Sequence, residues 1–182
     1  METADYPREL DDSITLPNHK QVNIRALHTC EEGTLRDLFA RLSPRSRYQR
    51  FLSPFATVPD SVVRLLASVD YRRHLALVAE YDNGREREVV GLGSFGAVDD
   101  ENAEVALVVH DDWQRQHVGT ELATRILAAA EQRGFHRFTV HVLSDNVAIR
   151  RLLDGVGDVV SSKLIGTVSE LAFVRSAGNR RI

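Results

Sequence analysis

From Glu104 to Arg133 the chain passes from an almost unbroken apolar run, through a polar turn, into an apolar pattern that repeats every fourth residue. Glu104-Val105-Ala106-Leu107-Val108-Val109-His110 has the composition of a strand buried on both faces. Val118, Leu122, Ile126 and Ala130 then turn one side of a long helix toward a core. A helix starting there leaves the N–H groups of Val118, Gly119 and Thr120 without intrahelical partners. Its dipole adds partial positive charge, so the turn suits an anion such as a pyrophosphate. An ordinary tight strand-to-helix connection has the same pattern, so this reading needs support from the rest of the chain.

The remaining pattern supplies the other elements. Gln21 to Arg25 alternates as a half-buried strand does. Glu31 to Leu42 carries Leu35, Leu38, Phe39 and Leu42 on one helical face, with acidic residues in the first turn. Ser43-Pro44 starts a short helix to Phe51, since Ser is a good N-cap and Pro is accepted at the first helical position. Pro59 to Val69 is a third helix, with Val62, Leu65, Leu66 and Val69 inward. His74 to Tyr81 and Val89 to Ala97 are strands joined across Asn83-Gly84. Gly134 ends the long helix, and Phe138 to Leu143 is a further buried strand. A short helix through Leu153 follows, then an antiparallel pair, Val159 to Ile165 and Val168 to Val174.

The strand–helix–strand unit makes the Glu104 and Phe138 strands parallel neighbours. The predicted fold is α/β of the α+β kind: a mixed, mostly antiparallel sheet of about seven strands, with a parallel central pair and helices on both faces. Residues 1–20 are read as an arm, 21–175 as one domain and 176–182 as a basic tail.

Composition narrows the function. With 182 residues and a net charge of −3, the chain is an ordinary globular domain and not a general nucleic-acid binder. Cys30, the single cysteine, excludes an intrachain disulfide and a cysteine metal framework. Neither an apolar leader nor a run of membrane-spanning length occurs, so the expected location is the cytoplasm, with no membrane partner. Gly91-Leu92-Gly93-Ser94-Phe95-Gly96 has dinucleotide-site spacing but no helix after it, and reads as strand glycines that allow a bulge or a close approach. His110, Asp111, Asp112 and His117 fit no metal-ligand spacing, so no metal is expected.

Gln114-Arg115-Gln116-His117-Val118-Gly119 resembles the coenzyme A-binding motif of the GNAT superfamily of N-acetyltransferases, Gln/Arg-x-x-Gly-x-Gly/Ala. Asp145-Asn146-x-Ala148-Ile149 resembles that family's second cofactor element, and the element order agrees from Gln21 to Val174. The resemblance implies acetyl-CoA as co-substrate, held by Val108, Val109 and the residues Gln114, Arg115, Gln116, His117, Val118, Gly119 and Thr120. Asn146 would approach the pantetheine. It also implies Glu104 as general base, acting through water, and the Val108 N–H as the group that polarises the thioester carbonyl. A base acting near neutral pH needs a raised pKa, which burial gives to a carboxyl group, and an amine acceptor must lose a proton before it attacks. The plain alternative is a solvated glutamate at the strand's end.

Two positions depart from the family. His117 stands where a glycine is expected, and Leu153 where a tyrosine often serves as general acid. Ser43 to Phe51 resembles a segment of bacterial protein lysine acetyltransferases, which makes Tyr48 and Phe51 candidate acceptor contacts. The plain alternative there is an amphipathic helix with both rings packed. The acceptor implied is an amine, either a protein lysine or a small molecule, and monomer and homodimer both remain open. A non-catalytic acyl-CoA-binding domain is the reading from another class.

Overall fold

The computed structural model describes residues 5–176. Eight strands, β1 Asp12–Thr15, β2 Gln21–Ala26, β3 His74–Asp82, β4 Arg87–Ala97, β5 Asn102–Val109, β6 Arg137–Leu143, β7 Gly157–Ile165 and β8 Val168–Arg175, form one sheet in the order β1-β2-β3-β4-β5-β6-β8-β7. Only β5 and β6 pair in parallel. Five helices accompany them: α1 Glu32–Arg41, α2 Pro44–Phe51, α3 Asp60–Ala67, α4 Val118–Glu131 and α5 Val147–Val156.

Two expectations are corrected here. The stretch read as an arm holds a 3-10 turn, Arg8–Leu10, and β1, which pairs antiparallel with β2. This edge strand contributes one half-buried apolar residue, Ile14, too little for periodicity to register. In α3 Val63 and Ala67 are the most buried; Val62 and Leu66 pack against the core and Val69 is buried as expected, so only Leu65, 68% exposed, departs. The tail call for 176–182 falls, beyond Ser176, outside the described residues.

Side-chain alternation along β5 gives the sheet two distinct faces. Val105 and Leu107 face α4 and α5, and a Cβ added at Gly91 in β4 would lie 2.8 Å from Leu122 Cδ1 of α4. Close approach of helix to sheet is therefore what Gly91 provides. The whole glycine run lies inside β4 and continues into β5, not into a helix. Glu104, Ala106 and Val108 face the other side, where α2 packs on β5 and β6. The parallel ladder is short, running from Asn102↔Arg137 to Glu104↔Thr139. Beyond that rung β5 and β6 separate, and the candidate site lies in the gap.

Candidate active site

The N-terminus of α4 opens beside the far end of β5. Its first backbone bond runs from the Glu121 N–H to the His117 carbonyl at 3.0 Å, so the N–H groups of Val118, Gly119 and Thr120 precede the helical ladder. No side chain caps them. A helix start with free N–H groups is therefore present where the sequence placed one. His117 is the N-cap with φ +70°, in the left-handed region, which explains why glycine suits this position. Histidine is among the residues that tolerate that conformation better than most. Its strain of about 1–2 kcal/mol exceeds the entropy cost of about 0.5–1 kcal/mol that glycine brings. His117→Gly is therefore expected to raise the melting temperature by a few degrees, roughly 2–4 °C. Thermal melts check this, and a lower melting temperature would count against the strain account.

Polar contacts hold the entrance in shape. The Asp111 carboxylate accepts from Ser43 N–H at 2.9 Å, Ser43 Oγ at 2.7 Å and Ser46 Oγ at 2.7 Å, which ties the start of α2 to the turn after β5. Burial pushes the Asp111 pKa up, but these hydrogen bonds outweigh it and hold the carboxyl below its ordinary value. Ser43 also caps α2 by accepting from Ser46 N–H at 3.1 Å. Gln114 Nε2 donates to Ser46 Oγ at 3.1 Å and to the Val109 carbonyl at 3.0 Å, and Gln116 bonds Asn18 and the Asp112 carbonyl. The side chains of Gln114 and Gln116 thus build the turn, while Arg115 and Thr120 are exposed.

The same contacts fix which backbone groups of β5 face the gap. His110 N–H donates to the Val90 carbonyl at 2.8 Å, on the β4 side. Antiparallel ladders alternate bonded and non-bonded pairs, so Leu92↔Val108 is a bonded pair and the Val108 N–H is used by β4. The expectation for Val108 is corrected on this ground. The groups turned toward the gap belong to Leu107 and Val109, and Gln114 already accounts for the Val109 carbonyl.

Glu104 sits on the last rung of the parallel ladder, with its side chain 53% exposed. The burial expected of it is absent. Instead it is flanked by charge. His141 Nδ1 of β6 lies 3.4 Å from Glu104 Oε1, and His141 Nε2 lies 3.2 Å from Glu170 Oε2 of β8. From α2 comes Arg50, whose Nε is buried without a hydrogen-bond partner. Desolvation pushes the Arg50 pKa down to about 10, against the opposing pull of the Glu104 carboxylate. Sequence reasoning missed Arg50 and His141. The arginine lay inside a quoted motif, and the histidine's only signal was a polar residue in an otherwise apolar strand.

With this geometry in hand, comparison with known proteins is decisive on one point. The model of the acetyltransferase (GNAT) family matches residues 38–157, about two thirds of the chain. The chain belongs to this family. It is 31% identical over 129 residues to the acetyltransferase Pat of Mycolicibacterium smegmatis, covering 69% of this chain but only 38% of that larger protein. The GNAT domain of S. lividans PAT superposes with a TM-score of 0.81 at 23% identity, covering 93% of this chain and 99% of that one. A putative acetyltransferase of Salmonella typhimurium, solved with its cofactor acetyl-CoA, gives 0.65 at 17% identity, with coverage of 84% and 91%.

As a GNAT domain, the chain has a small apolar groove between β5, β6, α4 and α5. Leu107, Val140, Ile149, Leu152, Leu153 and Phe173 are among its walls. Leu153, at the position of the family's frequent tyrosine, is buried there and brings no hydroxyl. Asn146 Oδ1 accepts from the Ile149 N–H at 3.3 Å and so caps α5 at the groove's rim. Phe51 packs edge-on against Phe39 with centroids 5.0 Å apart and leans on Phe55, which is a core role, whereas Tyr48 is exposed. Among the described residues no group of His, Cys, Asp or Glu is arranged to hold a metal ion, and no helix is long and apolar enough to cross a membrane.

Proposed function

We propose that this GNAT domain transfers the acetyl group of acetyl-CoA directly to an amine, with Glu104 as the general base. The observation that carries the reading is the end of the β5–β6 ladder at Glu104 and Thr139. It leaves an ionisable carboxylate at the mouth of a gap toward which the backbone of Val109 is turned. Three features fit acetyl-CoA: the uncapped N–H groups of Val118, Gly119 and Thr120 for the pyrophosphate, the apolar groove for the pantetheine, and Asn146 at its rim. The Val109 N–H takes the carbonyl-polarising part first given to Val108, as a small oxyanion hole.

Glu104 lies on the sheet face opposite the groove, so donor and acceptor approach from opposite sides. A primary ammonium, with a pKa of about 10.4 for a lysine, gives its proton to Glu104 through water before attacking the thioester. Loss of the tyrosine acid is tolerable, because a thiol of pKa about 8.5 leaves readily as thiolate. A protein lysine is favoured as acceptor by the Ser43–Phe51 segment, which resembles bacterial protein lysine acetyltransferases.

Leu153 favours a second reading, a domain that binds acyl-CoA without turning it over. Free-thiol release from acetyl-CoA, followed over a panel of amines and proteins, separates the two. Release that depends on an acceptor is the expected result. Binding without release on any acceptor would establish the second reading, and absence of binding would remove both.

A further inference from the structure

Four neighbouring strands place a row of ionisable side chains on the face that carries Glu104. His141 of β6 stands directly opposite Glu170 of β8, and Glu170 directly opposite Lys163 of β7. Glu104 of β5 lies diagonally across from His141, just past the last parallel rung. His141 lies between both carboxylates, its Nε2 hydrogen-bonded to Glu170 at 3.2 Å and its Nδ1 at an ion-pair distance of 3.4 Å from Glu104. A neutral imidazole has one donor and one acceptor nitrogen, whereas the imidazolium donates from both. A ring held between two carboxylates can therefore take a proton at one nitrogen and release one from the other.

We propose that His141 relays to bulk water, by way of Glu170, the proton that Glu104 removes from the acceptor amine. The proposal rests on the reading of Glu104 as the base. The proton balance closes without a co-reactant. One ammonium proton reaches Glu104, Nδ1 of His141 takes it, Nε2 yields its own proton to Glu170, Glu170 delivers that proton to solvent, and exchange with water returns the ring to its Nε2–H tautomer before the next cycle. The route gives the proton a way out when substrates occupy the Glu104 side of the gap. Glu170 lies two strands from β5 and keeps a side chain 41% exposed. Other charges face the row from its neighbours: Arg50 of α2 beside Glu104, and Lys163 of β7 beside Glu170. His141 acts through Glu104 and is a positioning and relay residue, not one that touches the substrates.

The test compares the intact chain with H141A, H141Q, E170Q and E104Q by thiol release at saturating acetyl-CoA, from pH 6 to 9, with thermal melts as a folding control. H141A is expected to lower kcat by about ten- to a hundredfold at unchanged KM for acetyl-CoA, and E170Q by about three- to tenfold. Added imidazole should restore a substantial part of the H141A rate and none of the E104Q rate. H141Q, which keeps size and polarity but cannot carry a proton, should be as slow as H141A. A rate and pH profile like those of the intact chain in both His141 variants, with E104Q slow, would overturn the relay alone. So would failure of imidazole to rescue an H141A protein with an unaltered melting temperature. A fully active E104Q would remove the base assignment, and the relay with it.

Discussion

Replacing Glu104 by glutamine lowers kcat for acetyl transfer by about two to four decades and leaves acetyl-CoA affinity in place. The carboxylate stands on the acceptor face of β5, whereas the apolar groove and the α4 N-terminus lie on the other side. The amide keeps the side chain's shape and a hydrogen-bonding oxygen but cannot accept a full proton, so only deprotonation of the amine is lost. Because the native side chain is 53% exposed, removing its charge costs little stability and the melting temperature stays close to that of the parent. Steady-state thiol release and calorimetric titration with acetyl-CoA check the two halves. A variant that turns over at the parent rate would sink the assignment, and a variant that no longer binds acetyl-CoA would show that Glu104 acts elsewhere.

The second large effect concerns the other substrate. Gly119→Glu sets a carboxylate in the first turn of α4, beside the free N–H groups proposed to hold the pyrophosphate. At about 4 Å, with an effective dielectric of about 20, each unit of like charge opposes binding by about 4 kcal/mol, so a loss of acetyl-CoA affinity of about two to three decades is expected. The backbone has room for the new Cβ. A Cβ at Gly119 meets Leu107, Val109 and Leu152 at 3.5 Å, an ordinary contact distance, and an acidic residue in a helix's first turn favours the helix. Weaker binding with an unchanged or higher melting temperature is therefore the signature. Unimpaired binding would place the phosphates away from α4.

Particular residues show how far the sequence reaches. β3, β4, β6 and β8 were legible because their apolar runs are bounded by turn residues, and α4 because its apolar residues repeat at a helical period. The exposure of Leu65 was not. Val62, Val63, Leu65 and Leu66 are all apolar, and only packing decides which of them is left outside. β1 was invisible because an edge strand needs few apolar side chains. In the site, the turn into α4 was readable from residue types alone, and so was the Ser43 cap. The direction of the Val108 N–H was not, because it depends on which β5 residues exchange bonds with β4. Nor was the Asp111 contact to Ser43 and Ser46, which closes over more than sixty residues of chain. The exposure of Glu104 is likewise a matter of tertiary packing, and no local pattern records that.

The alternation of β5 has a consequence for how such a domain can diversify. Odd-numbered side chains such as Leu107 face the groove proposed for the donor, and even-numbered ones such as Glu104 face the side proposed for the acceptor. The two specificities are thus written on opposite sides of one ribbon and share little besides its backbone. Acyl-chain preference can drift through substitutions in the groove while the proton-handling row stays intact, and the acceptor can be exchanged without retuning the grip on coenzyme A.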